Sequence, residues 1–196
     1  MPSVKLIAGL GNPDNEHQET RHNAGFWFLD RLAARHHVSF GMDNRFFGES
    51  SRIQEGQTDC RLLKPMTYMN DSGRAVQAMM NFFRLTPGEL LVVHDEIDLA
   101  PGAVRLKVGG GHAGHNGVRD IIDCIGSRDF VRIRIGVGHP GNKDKVIGSV
   151  LGRPRNDERE LIDIAIANAL DVMPLVFAGE HEKAMTQLHQ KQATSD

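Results

Sequence analysis

The sequence predicts an α/β fold: a single-domain, three-layer sandwich in which a mixed, twisted β-sheet carries helices on both faces. Three observations carry that reading. Short apolar runs alternate with segments whose apolar residues recur at helical spacing, as in V-K-L-I-A-G at 4–9 followed by F-W-F-L-D-R-L at 26–32. The connections inside 46–63 and 90–108 are too short for a crossover helix, so antiparallel pairs are expected within the sheet. A chain of 196 residues, 40% of them hydrophobic, can close one sizeable core.

Residues 4–9 read as a buried strand ended by Gly9 and Gly11, and 26–32 as the helix that follows, with Thr20 and Asn23 as start or capping residues. Residues 46–53 and 60–63 read as strands, the second running into K-P-M-T-Y-M-N; Ser72 then caps a helix with Ala75, Val76, Met79, Met80 and Phe83 on one side. Residues 90–93 form a buried strand that delivers His94 and Asp95 to its carboxyl end. Val104, Leu106 and Val108 alternate with Arg105 and Lys107 on the next strand. After G-G-G-H-A-G-H-N-G, read as a mobile loop, a helix over 118–125 is closed by Gly126. Val131, Ile133 and Ile135 alternate with Arg132 and Arg134 on one more strand. Helices are expected over 158–172 and 180–190, separated at Pro174, with the final A-T-S-D frayed.

Composition narrows the function. Lys and Arg number 23 against 25 acidic residues, so nothing draws the whole chain to nucleic acid and any RNA contact must come from a local patch. Two cysteines, Cys60 and Cys124, and the lack of a secretory leader fit a reduced, cytoplasmic protein with both thiols in the core. No apolar run approaches the roughly 20 residues a bilayer requires, so no membrane span is expected.

In open α/β sheets, ligands gather at the carboxyl ends of strands. Four loops there are rich in titratable groups and amides: G-L-G-N-P with Asn12, Y-M-N-D-S-G with Asn70, V-V-H-D-E with Asp95, and H-A-G-H-N-G with His115 and Asn116; His22 follows the first of them. G-L-G-N-P is a poor dinucleotide loop, because Asp14 holds its third glycine position and Pro13 disturbs the helix start. A zinc site of His112, His115 and Asp95 is a rival, weakened by the absence of cysteine pairs or H-E-x-x-H. A hydrolase fits the set. Attack of water on an ester needs a neutral base, a carboxylate that fixes its tautomer, and amides that hold the oxyanion, and no G-x-S-x-G elbow is present to supply a covalent nucleophile.

Six segments in series, L-I-A-G-L-G-N-P, T-R-H-N-A-G-F, K-P-M-T-Y-M-N-D-S-G, H-D-E-I-D-L, G-G-G-H-A-G-H-N-G and R-I-R-I-G-V-G-H-P-G, make the chain resemble bacterial peptidyl-tRNA hydrolase over nearly its whole length. The resemblance implies a monomeric, cytoplasmic, cofactor-free and metal-free enzyme that cleaves the ester between a peptide and the terminal ribose of tRNA. It implies His22 as catalytic base with Asp95 as its partner, and Asn12, His17, Tyr68, Asn70, His115 and Asn116 around the substrate. It also implies a cationic margin of Arg105, Lys107, Arg134 and Lys143 for the acceptor stem and CCA end of tRNA, with Arg105 and Arg134 on the 5′ phosphate; neither DNA nor a membrane is an expected partner. The competing class is a noncatalytic RNA-binding relative, against which the intact His22, Asp95 and asparagines argue. Two positions depart from the family pattern: Asp14 replaces glycine, with a left-handed turn expected there, and His17 replaces tyrosine, with weaker binding of the peptidyl-adenosine end expected.

Overall fold

The computed structural model describes residues 1–193. Its seven strands are β1 (Leu6–Gly9), β2 (Gly41–Asp43), β3 (Gly48–Glu55), β4 (Thr58–Pro65), β5 (Leu90–Glu96), β6 (Val104–Val108) and β7 (Val131–Gly136). They form one sheet in the order β2-β3-β4-β1-β5-β7-β6. The four inner strands β4, β1, β5 and β7 are parallel; the edges are antiparallel, β2 on β3 and β3 on β4 at one side, β6 on β7 at the other. The sheet is therefore mixed, as expected. The pairing within 46–63 is the expected hairpin, but β5 and β6 do not pair, because β7 lies between them. Connection length showed only that β6 could not cross over as a helix does, and could not show that a later strand takes the place beside β5.

The helices are α1 (Ala24–Arg35), α2 (Ser72–Phe83), α3 (Asn116–Ile125), α4 (Val146–Val150), α5 (Asn156–Asp171), α6 (Met173–Phe177) and α7 (His181–Ala193). One face of the sheet buries Ile7, Leu91, Val93, Ile133 and Ile135 against α1, α5, α6 and α7. The other buries Leu6, Ala8, Leu90 and Val92 against α2 and α3. Each such fully buried aliphatic side chain contributes about 1.5–3 kcal/mol, which makes the alternation along each strand decisive for its register. β5, covered on both faces, is buried at every position.

Several local expectations change. Phe46 belongs to a 3-10 turn, and the strand begins only at Gly48, because Phe47 takes the left-handed conformation at φ 51°. Ser72 is the first residue of α2 and its hydroxyl donates to the Met69 carbonyl; the free N–H of Gly73 is instead capped by Asp120 of α3 at 2.7 Å. β2 and α4 lie in segments too short for periodicity to mark. Cys60 is buried, whereas Cys124 is half-buried beside Asp120. Ala193 closes α7 rather than fraying, and residues 194–196 lie outside the described residues.

One contact sets the position of the site. A Cβ on Gly25 would lie 2.4 Å from both the Leu10 nitrogen and the Val93 carbonyl, so only glycine lets the start of α1 rest on the ends of β1 and β5. The turn just before it carries His22.

Candidate active site

His22 lies buried in the 3-10 turn Arg21–Asn23, and Asp95 is the penultimate residue of β5. Asn23 does not cap α1. Its side chain instead holds the β1 loop by two reciprocal bonds, Oδ1 accepting from the Asn12 N–H at 2.8 Å and Nδ2 donating to the Asn12 carbonyl at 3.0 Å. Asn12 in turn accepts the Met69 N–H on its Oδ1 at 2.8 Å, which leaves its amide NH₂ as the available donor. These bonds tie the loops after β1 and β4 to the turn of His22.

Asp95 is shared by two imidazoles. His22 Nδ1 lies 2.8 and 2.9 Å from its two oxygens, and His115 Nε2 lies 2.8 Å from Oδ1. His115 is also the N-cap of α3, with its Nδ1 accepting the Val118 N–H at 3.3 Å. That bond places the His115 hydrogen on Nε2, so it donates to Asp95. The same carboxylate draws the His22 hydrogen to Nδ1, and Nε2 of His22 is left with its lone pair. Burial works against charge on His22, yet the charge and hydrogen bond of Asp95 outweigh it and raise its pKa above the ordinary value. For Asp95, burial alone would raise the carboxyl, but the two histidines overcome this and hold it well below the usual range. Behind them His94 donates from Nδ1 to the Asp95 carbonyl at 2.8 Å; burial, reinforced by His115, pushes it down to about 3, so it stays neutral.

A cavity of about 570 Å³ opens beside these groups, with His22, Asp95, His115 and Asn116 on one side and Val146, Ile147 and Val150 of α4 on the other. Lys143 lines its rim. Asn70 and Tyr68 are exposed on and beside the turn before α2, which abuts α3 so closely that a Cβ on Gly117 would lie 2.5 Å from the Met69 sulfur. His17 lies off the cavity wall, and its ring is bonded by Asp14. Asp14 is extended at φ −78°, not left-handed, and caps the turn by accepting the His17 N–H at 3.0 Å. The two departures from the family pattern are thus partners of each other.

The basic strands meet as expected in part. Arg105 and Arg134 occupy opposite positions across β6 and β7, and Lys107 is exposed beside them; the Arg105 guanidinium is turned to α7, donating to the Gln192 side-chain oxygen and to the Val104 carbonyl. Arg134 is paired with the buried Glu96 at 2.8 Å, a neighbour the sequence reading missed. Arg132, grouped with Arg134 by alternation, is buried: it donates to the carbonyls of Gly111 at 2.8 Å and Gly109 at 3.0 Å and so anchors the glycine-rich loop that leads to His115. Alternation marked its face, but only the loop folded over it explains its burial.

Among the described residues, the histidine and carboxylate donors grouped closely enough to hold a metal are His22, Asp95 and His115; His112, part of the rival zinc set, is not among them and instead accepts the Gly114 N–H at 3.0 Å. The nitrogens that face Asp95 carry hydrogens in the pattern above, which suits acid–base chemistry better than ligation.

A family model described as peptidyl-tRNA hydrolase matches residues 6–196. The chain belongs to the peptidyl-tRNA hydrolase family. Its activity is accordingly that of an enzyme hydrolysing peptidyl-tRNA. The peptidyl-tRNA hydrolase of Halorhodospira halophila is 53% identical over 185 residues, covering 94% of this chain and 95% of that protein. That of Proteus mirabilis is 50% identical, covering 96% and 98%. The crystal structure of peptidyl-tRNA hydrolase from Acinetobacter baumannii superposes with a TM-score of 0.92 at 48% identity, covering 94% of each chain. No helix of the described residues is long and apolar enough to cross a membrane.

Proposed function

We propose that His22 is the general base for hydrolysis of the ester joining the peptide to the 3′-terminal ribose of tRNA, and that Asp95 orients and supports it. The observation that carries this reading is the shared carboxylate: Asp95 accepts from both His22 and His115, which leaves His22 Nε2 unprotonated beside the cavity. Nε2 removes a proton from water, and the resulting hydroxide attacks the ester carbonyl. The NH₂ groups of Asn12, Asn70 and Asn116 are the donors for the oxyanion and the peptide carbonyls. As the tetrahedral intermediate collapses, the imidazolium returns its proton to the ribose oxygen, releasing peptide and tRNA. His115 locks the carboxylate from the other side, and Asp95 remains ionised throughout.

The acceptor stem lies over Arg105, Lys107 and Arg134, with Lys143 at the cavity rim near the CCA end. Contacts of this kind read phosphates, so tRNA identity matters little. Within the same reading the enzyme works as a cytoplasmic monomer, without cofactor, metal, DNA or membrane.

The test uses N-acetyl-aminoacyl-tRNA and free aminoacyl-tRNA, with and without EDTA. Wild-type enzyme should cleave only the blocked ester and be unaffected by chelator, while His22→Ala should lose turnover by at least 10³-fold, within the range general-base catalysis supplies, with affinity retained. Near-normal turnover in that variant would remove His22 from its role, and loss of activity in EDTA would move the chemistry to a metal.

A further inference from the structure

Across the sheet, the carboxyl end of β5 holds Asp95, the ends of β1 and β4 lead to Asn12, Tyr68 and Asn70, and β3 begins at the same end, Gly48 opposite Pro65. Just before β3, Phe47 takes φ 51°, a conformation that is costly for a bulky residue and persists where surrounding structure enforces it. Its carbonyl accepts the Met66 N–H at 2.9 Å, which fastens it to the segment carrying Tyr68. On its ring lies the guanidinium of Arg74, 3.9 Å from the centroid. Arg74 is exposed, sits in the first turn of α2 one helical turn beyond Asn70, and pairs with no carboxylate among the described residues. Farther from the site, Arg45 of the 3-10 turn Asn44–Phe46 lies 5.1 Å from the ring centroid of Phe82 on α2, a ring that is 56% exposed.

We infer that the Phe47–Arg74 pair is a subsite for the peptide tail of the substrate, in which the stacked guanidinium donates to main-chain carbonyls whatever the side chains. The inference rests on the placement of tRNA over β6 and β7. With the ester at β5 and the tRNA on that flank, the acyl chain must leave toward the opposite flank. The path from β5 to β3 is three strand spacings, about 14 Å, and an extended peptide advances about 3.3 Å per residue. The pair therefore meets the tail about four residues from the ester. A guanidinium seated over a ring, with no acid to compete for it, loses little freedom on binding and keeps donors available to a ligand.

The experiment compares pentapeptidyl-tRNA with N-acetyl-aminoacyl-tRNA for wild type, Arg74→Ala, Arg74→Lys and Arg105→Ala, with melting temperatures as a check on folding. Arg74→Ala should raise KM three- to tenfold for the pentapeptidyl substrate with kcat unchanged, and leave both constants unchanged for the short one. Arg74→Lys should reproduce most of that loss, because a lysine ammonium does not stack as a plane. Equal effects on both substrates, or none on either, overturns the subsite; full rescue by lysine overturns the stacked geometry. Arg105→Ala should raise KM for both substrates alike, and its failure to do so would instead remove the tRNA placement.

Discussion

Replacing Asp95 by Asn tests the centre of the mechanism with almost no change of volume. The carboxylate accepts the Nδ1 hydrogen of His22 at 2.8 and 2.9 Å and the Nε2 hydrogen of His115 at 2.8 Å. An amide keeps one acceptor oxygen and puts an NH₂ in place of the other, so the NH₂ either faces His22 Nδ1, where Oδ2 now lies at 2.9 Å, or takes the place of Oδ1 and faces His115 Nε2. If His22 receives the NH₂, its hydrogen moves to Nε2 and it can no longer take a proton from water. If His115 receives it, His115 must place a hydrogen on Nδ1, against the Val118 N–H that it now caps. Hydrogen bonds to a charged group are worth about 1.5–3 kcal/mol each, so losing one bond and the support of the imidazolium costs about 3–5 kcal/mol. At 1.36 kcal/mol per tenfold, kcat should fall by roughly 150- to 5,000-fold. The pH profile carries an independent signature. His22 acts when neutral, so in wild type kcat/KM falls as pH drops through its raised pKa; without the carboxylate, burial alone lowers that pKa and the acid limb moves to lower pH. Initial rates on N-acetyl-aminoacyl-tRNA from pH 5 to 9 measure both quantities. A loss smaller than about fivefold, or an acid limb that stays in place, would refute the shared-carboxylate mechanism.

Gly25→Ala forces a methyl to within 2.4 Å of two backbone atoms, Leu10 N and Val93 O, that cannot yield separately. A penalty of about 3 kcal/mol, lowering the melting temperature by roughly 6–12 °C, is expected by calorimetry; an unchanged melting temperature would contradict the close packing of α1. Arg132→Ala leaves the carbonyls of Gly109 and Gly111 without their donor, so amide exchange over 109–115 should accelerate and kcat drop by roughly tenfold as His115 loses its fixed seat. Unaltered exchange there would show that the arginine does not anchor the loop. His94 has its folded-state pKa lowered to about 3, while the unfolded chain protonates near the ordinary 6.5. Between those values the unfolded state binds the extra proton, so stability present above pH 6.5 is lost as pH falls toward 3; in His94→Leu the fall in urea midpoint between pH 7 and 4.5 should be smaller than in wild type, and an equal fall would exclude His94 as its source.

Much of the site was readable because short motifs carry their own chemistry. T-R-H-N-A-G-F, H-D-E and H-A-G-H-N-G marked His22, Asp95 and His115 as candidates, since each lies near a strand or loop end that can present a polar side chain, and the structure brings the three together. What stayed illegible were residues whose role depends on a distant partner. Asn23 looked like a helix cap and is a clasp on Asn12; Arg132 and Arg134 share a face, yet one is buried under a loop and the other is paired with Glu96. Asp14 and His17 read as separate departures and turned out to be joined.

By itself the sequence determined the layered α/β architecture, the mixed sheet and most element positions, because apolar periodicity and turn residues act over a few neighbours and need no knowledge of the rest of the chain. Only the tertiary structure decided that β7 inserts between β5 and β6, that Ile147 and its neighbours wall the cavity, and that one carboxylate serves two histidines 73 and 20 positions away. Those outcomes are set by how surfaces distant in the chain fit when buried together, and by the cost of leaving any buried charge or hydrogen-bonding group without a partner, neither of which is written in local spacing.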